Sequence, residues 1–244
     1  IVKASKINRF RLDRIGRDRM KLNFLGKGSA FYPLYGNTGA YMRFEDELYL
    51  LDCGETAFDT LYRKEDLDRI SHIYVILTHL HADHVGSLGT LISYYYCLHG
   101  IQVYVIHPEP TVVQLLTLEG ITPEGYCYLQ SLPENKAGLT AVPVPVKHAK
   151  DMKCYGYILS DHSERIYYSG DAVEVPEAVR AEFLKGDLSC LYQDTSTHPS
   201  DSHCFYEKLE QWFPEETRRK IYCMHLDSPC EQLLRSKGFN IVDV

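Results

Sequence analysis

The chain lacks long apolar runs. No stretch approaches the ~20 uninterrupted apolar residues that a bilayer span needs, and the N-terminal run is charged, without the apolar centre of a secretory signal. Membrane insertion and export are excluded on this reading, and the cytoplasm is the expected location. Paired cysteine is also missing: Cys53, Cys97, Cys127, Cys154, Cys190, Cys204, Cys223 and Cys230 include no Cys-x-x-Cys. That absence argues against a thiolate zinc site or a disulfide framework. Several of the eight sit in apolar runs such as IYCMH, so reduced, mostly buried thiols are expected. Also absent are a Gly-rich phosphate cradle of the P-loop type, a repeat of fixed period, a low-complexity tract and a linker long enough to divide domains. A chain of 244 residues, 45% hydrophobic, then reads as one domain with a sizeable core.

Positive charge is scarce where a nucleic-acid surface would need it. Residues 1–21 hold eight Lys/Arg against Asp13 and Asp18, leaving the rest of the chain with 18 basic and 31 acidic residues. Non-specific affinity for a polyphosphate comes from Lys and Arg displacing counterions. An acidic body therefore points to a small substrate, and no long nucleic acid is expected as a partner. Met20 opens MKLNFLGKGSAF, which reads as a first strand. Residues 1–19 are expected to be a basic leader, either a functional arm or an artificial extension, and residues 20–244 a single domain.

Short runs rich in Val, Ile and Tyr predict strands at KLNFL, AYMRF, LYLLD, HIYVILT, QVYVI, GLTAVPVPV, CYGYILS, RIYYSGD, LSCLYQD and KIYCMH. Helices are predicted at Thr56–Lys64, His84–Leu98, Pro108–Glu119, Pro176–Lys185, Ser202–Phe213 and Pro229–Lys237, several opened by Pro or by Ser or Thr. Paired strands, then strands alternating with helices, recur in the second half. The implied fold is α/β, an αββα sandwich of two packed sheets with helices outside.

The chemistry concentrates in THLHADHVG, Thr78 to Gly86. His79 and His81 alternate at the end of an apolar strand and so face one side, and Asp83 and His84 follow in the turn before a helix. Imidazole and carboxylate are the ligands that hold Zn, Mn or Fe in a hydrolytic site. The same run could in principle be a His-rich surface loop, but four donors leaving one strand end make a specific metal signature. His148, Asp171 and His225 each follow a further strand-like run, at edges where loop-borne sites gather.

With these residues in view, the chain from Met20 onward resembles the metallo-β-lactamase superfamily, and LLDCGET, Leu50 to Thr56, matches that family's early Asp-x-Gly strand end. The resemblance implies two metal ions, Zn2+ or alternatively Mn2+: His79, His81 and His148 on one, Asp83, His84 and His225 on the other, and Asp171 bridging. It implies hydrolysis by metal-activated water, with Asp83 counted among the catalytic residues as well as the ligands. Asp52 is either a support for the His loop or an ordinary turn aspartate.

LGKGSAFYPLYGNT, Leu25 to Thr38, is similar to the opening of the ribonuclease Z branch, and DSHCFYEKLEQWF with IYCMHLDSP is similar to its closing segments. That likeness makes His203 the proton donor to the leaving oxygen, oriented by Asp194, with His198 as an alternative partner. Gly26 and Gly28 are expected in a tight turn near the metals. Ribonuclease Z carries a long tRNA-gripping arm, commonly between the third ligand motif and the bridging aspartate. Here His148 and Asp171 lie only 23 positions apart, room for a hairpin but no arm.

A compact, arm-less relative with these features is the anti-Pycsar phosphodiesterase family of phages and mobile elements, which the chain resembles from MKLNFLGKGSAF through LTHLHADHVGSLGTLISYYY. The resemblance implies hydrolysis of cyclic nucleoside 3′,5′-monophosphates such as cCMP and cUMP, evasion of a bacterial antiphage signal, and a homodimer in which a neighbouring subunit helps close the pocket. Tyr94, Tyr95 and Tyr96, or the loop 107–125, are places where a base could stack; the plainer reading of the tyrosines is helix-face core. Competing readings are a ribonuclease on short RNA, a lactonase, and a non-catalytic protein that sequesters a nucleotide.

Overall fold

The computed structural model describes residues 20–244; the leader expected at 1–19 lies outside them. Twelve strands form two six-stranded sheets. The first runs β1 (Asn23–Gly26), β2 (Gly39–Phe44), β3 (Glu47–Leu51), β4 (His72–Ile76), β5 (Val103–Ile106) and β6 (Tyr126–Leu129) in that spatial order. The second runs β7 (Thr140–Val146), β8 (Cys154–Ser160), β9 (Arg165–Tyr168), β10 (Cys190–Asp194), β11 (Ile221–Met224) and β12 (Asn240–Ile241). In each sheet the first two pairings are antiparallel and the last three parallel. The chain thus repeats one plan twice without repeating its sequence.

Three apolar layers make the sandwich. On β4, Ile73 and Val75 face Leu61, Leu88, Leu91 and Leu116 of the helices α1 (Ala57–Lys64), α3 (Leu88–Tyr94) and α4 (Thr111–Leu118). Tyr74 and Ile76, one pleat step away, face the opposite sheet, where Tyr155, Tyr157, Tyr168 and Met224 lie. On the far side, Tyr167, Leu191 and Ile221 pack on Val179 and Phe183 of α5 (Glu177–Lys185), Leu209 of α6 (Tyr206–Trp212) and Leu234 of α8 (Glu231–Ser236). The expected αββα architecture is the one observed.

All ten predicted strands are present; β6 and the two-residue β12 were not foreseen, nor was the short α7 (Glu215–Arg218). The helix expected over His84–Leu98 is instead broken. The first turn, α2 (Ala82–Val85), ends at Gly86, α3 starts after Ser87, and Tyr95–His99 widens to a π-turn. Ser87 explains the break: its hydroxyl donates to the carbonyl of Gly54 and receives the amide of Phe58, tying the chain to the β3–α1 turn. The helix expected from Ser202 begins only at Tyr206. Five of the eight cysteines are buried, and Cys97 is exposed. Among the described residues no helix is long and apolar enough to cross a membrane.

Candidate metal centre

The site sits at one edge of the sandwich, where strand C-terminal ends from both sheets converge. Asp52 follows β3, the His run follows β4, His148 follows β7, Asp171 follows β9, Asp194 ends β10 and His225 follows β11. Asp52 and His225 both have left-handed backbones, φ 62° and 57°, which non-glycine residues adopt only under constraint. For Asp52 the constraint is its carboxylate, which accepts the Thr78 amide at 2.8 Å, the Thr78 hydroxyl, and His84 Nδ1–H at 2.8 Å. Asp52 therefore supports the His loop and is more than a turn residue. Two residues on, Gly54 lies so close to the Asp83 carbonyl that a Cβ there would come within 1.9 Å of its oxygen.

His225 is held by a contact the sequence did not announce. Its amide donates to Thr38 Oγ1 at 3.0 Å, and that hydroxyl donates to the carbonyl of Gly28. Gly28 forms bridges to both Asn37 and Leu226. The Gly-rich opening is therefore more than a tight turn: it is threaded between two segments, one of them carrying His225. A side chain at Gly28 would meet the carbonyl oxygens of Tyr32 and Gly36 at 2.6 and 2.9 Å.

The seven expected ligands come together in two groups. In the first, His81 Nδ1 lies 3.0 Å from His79 Nε2 and 3.2 Å from His148 Nε2. In the second, Nε2 of His84 and Nε2 of His225 each lie 3.2–3.3 Å from Asp83 Oδ2 and from Asp171 Oδ1. Ligands about 2.0–2.1 Å from a tetrahedral zinc are separated by about 3.3 Å from one another, so the donor spacing fits such an ion in both places. Asp171 is shared: Oδ1 faces the second group, while Oδ2 faces the first, 3.5 Å from His148 Nε2 and 3.9 Å from His79 Nε2.

The far sides of the rings are committed. His84 Nδ1 is held by Asp52, and His148 Nδ1 donates to the carbonyl of Ser202 at 2.9 Å, which fixes each tautomer with a lone pair on Nε2. His84 Nε2 and Asp171 Oδ1 are buried without a hydrogen-bond partner, as donor atoms aimed at a cation would be.

Charge tells the same story. Burial lowers His79 well below the ordinary imidazole range, and neighbouring His84 adds to this, so His79 offers a neutral ligand. In the second group, burial raises the Asp83 carboxyl, but hydrogen bonds from His225 and His84 outweigh it and hold it low. Burial likewise opposes ionisation of Asp171, and the charges of His225 and His84 overcome it. Burial lowers His225 too, yet Asp171, Asp194 and Asp83 push it up to about 10. Two buried carboxylates thus draw positive charge to the place where a dication fits.

Beside the ligands, His203 Nδ1 lies 2.9 Å from Asp194 Oδ2, while Asp194 Oδ1 lies 3.5 Å from His225 Nδ1. Burial lowers the His203 imidazole, and Asp194 more than restores it. His198 is exposed and sits beside Asp227 instead, so it is not the partner of Asp194. A cavity of about 570 Å³ opens over the centre, lined by His81, His148, His203 and His225 together with Ser29 and Phe31.

The base-stacking places named from sequence do not line the cavity of their own chain. Tyr95 is buried in the helix-side core, Tyr94 packs on Phe58 and Tyr62, and neither Tyr96 nor any residue of 107–125 reaches the cavity. The LISYYYCL run forms part of α3 and the π-turn that follows it, on the helix-side layer. The cavity's own aromatic ring is Phe31, which the sequence reading passed over.

The profile of the family described as anti-Pycsar protein Apyc1 matches residues 20–242. An anti-Pycsar protein Apyc1 of Bacillus phage vB_BsuM-Goe3 is 26% identical over 251 residues, covering 91% of this chain and 94% of that protein. One from Saccharibacillus brassicae is 29% identical over 238 residues, covering 90% and 95%. Among solved structures, the metallo-β-lactamase fold protein YhfI of Bacillus subtilis superposes with a TM-score of 0.72 at 17% identity, covering 91% of this chain and 95% of its own.

Proposed function

The chain belongs to the anti-Pycsar Apyc1 family, and from that membership we propose that it is a metal-dependent phosphodiesterase of cyclic nucleoside 3′,5′-monophosphates, cCMP and cUMP among them. Opening the ring to a nucleoside monophosphate would remove a bacterial antiphage signal. The observation that carries this reading is the shared carboxylate: one Asp171 oxygen faces each donor group beneath a single cavity. Its size falls within the roughly 300–1,000 Å³ usual for small-molecule sites.

In this reading His79, His81 and His148 would hold one divalent ion and Asp83, His84 and His225 the other, with Asp171 available to both. Two such ions, Zn2+ or Mn2+, would supply water activated as a nucleophile at neutral pH and Lewis-acid stabilisation of charge on phosphate oxygens. The chain's own part is positional. Asp52 and the Ser202 carbonyl fix the ligand tautomers. Asp194 turns His203 so that Nδ1 is occupied and Nε2 is the atom that delivers a proton to the departing ribose oxygen. The same reading makes the protein a cytoplasmic homodimer, a state that light scattering measures.

The test is to load the protein with Zn2+ or Mn2+ and compare cCMP, cUMP and cAMP with a single-stranded RNA. Turnover of the cyclic monophosphates faster than RNA is expected. Cleavage of RNA alone would replace this function with a ribonuclease, and inertness toward every cyclic nucleotide would sink it. Asp171→Ala should abolish turnover; biological activity surviving that change would mean sequestration instead of hydrolysis.

A further inference from the structure

We propose that Phe31 is the residue on which the substrate's base stacks. The inference rests on the nucleotide reading above and adds to it a specific contact with the part of the ligand that does not react.

Phe31 is 97% exposed, an unusual state for a large apolar ring, and it lines the cavity over the metal centre. Leu34, Leu98 and Leu118 are also open to solvent, but none of them lines that cavity. The loop carrying Phe31 is firmly mounted. The Ser29 amide donates to the Leu226 carbonyl, the Leu226 amide to the Lys27 carbonyl, and the Gly28 amide to the Gly36 carbonyl. The neighbouring rings are spoken for: Tyr32 and Tyr35 meet edge to face at 4.8 Å, and the Lys27 ammonium lies 4.7 Å over Tyr35. Phe31 alone in this loop offers a ring that packs on none of the described residues and lines the cavity.

The same cavity is lined by ligands and His203, so a phosphate placed at the centre leaves its nucleoside to extend toward the rim. An aromatic face there suits any base, since every base presents a π surface. The anchored backbone also means that ordering is confined to the Phe31 side chain when the base arrives.

The experiment is a calorimetric titration of metal-loaded wild type, Phe31→Ala and Phe31→Trp with CMP and, separately, with ribose 5-phosphate, alongside light scattering of each protein. Phe31→Ala should weaken CMP roughly 5- to 150-fold, the range that one base–aromatic stack contributes. Phe31→Trp should retain CMP affinity, and ribose 5-phosphate, which has no base, should bind all three alike. An unchanged CMP affinity in Phe31→Ala overturns the proposal. So does an equal loss for both ligands, which would mean a distorted loop, or a changed oligomeric state, which would make Phe31 a subunit contact. A wild type that neither binds CMP nor turns over any cyclic nucleotide would instead remove the nucleotide reading itself, and Phe31's role with it.

Discussion

Asp194 divides its two oxygens between His203 and His225, and that division separates two kinds of failure. His203→Ala removes only the proposed proton donor. It should lower kcat roughly 10²- to 10⁴-fold while elemental analysis still finds both ions. Asp194→Asn should lower kcat comparably and also release metal, because His225 loses the carboxylate behind it. Equal metal content in the two variants would show that the 3.5 Å contact to His225 is incidental. At Asp52 the expectation is purely one of affinity: Asp52→Asn should weaken metal binding about 10- to 100-fold, read by titration against a chelating dye. At this scale the sequence was most legible where donors cluster, in THLHADHVG, and least legible where one residue acts on another far away. Thr38 supports His225 across 187 positions, and nothing local to GNT announces it.

Among elements, the strand-end turns decide the geometry. The turn after β3 presses against the His run so closely that Gly54→Ala must move the backbone of Asp83. Overpacking of this kind typically costs about 1–3 kcal/mol. At about 2–4 °C per kcal/mol for a chain of this size, thermal melting should fall by about 2–12 °C, and metal content should fall with it. An Ala variant with unchanged melting and full occupancy would show that the turn has slack. Apolar periodicity revealed ten of the strands because each has residues alternating between two cores. It missed β12 because two residues carry no period, and it ran α2 and α3 together because the break is made by Ser87 hydroxyl contacts with residues 33 and 29 positions away. The tyrosine run draws attention as a place for base contact because aromatic content is visible in a sequence, whereas the packing of Tyr94 and Tyr95 in the helix-side layer is not.

For the whole molecule, the donors come from both sheets: His79, His81, Asp83 and His84 from the first, His148, Asp171 and His225 from the second. Bound ions should therefore stabilise the sandwich as a unit. With free metal at about 1,000 times Kd, each site adds about 4 kcal/mol, so complete chelation should lower Tm by about 8–16 °C per ion. Calorimetry before and after treatment with a chelator checks this, and a Tm indifferent to chelation would count against the proposed ligand set.

The same spread of donors along the chain has a consequence during synthesis. The ribosome releases His79 to His84 early, but the second proposed ion lacks a ligand until His225 has emerged, 141 positions later. At about 5–20 residues per second that interval is about 7–28 s. Loading of both proposed ions then waits for His225: a product that stops before it stays without the full pair, and so cannot begin chemistry before β7 to β11 have been made.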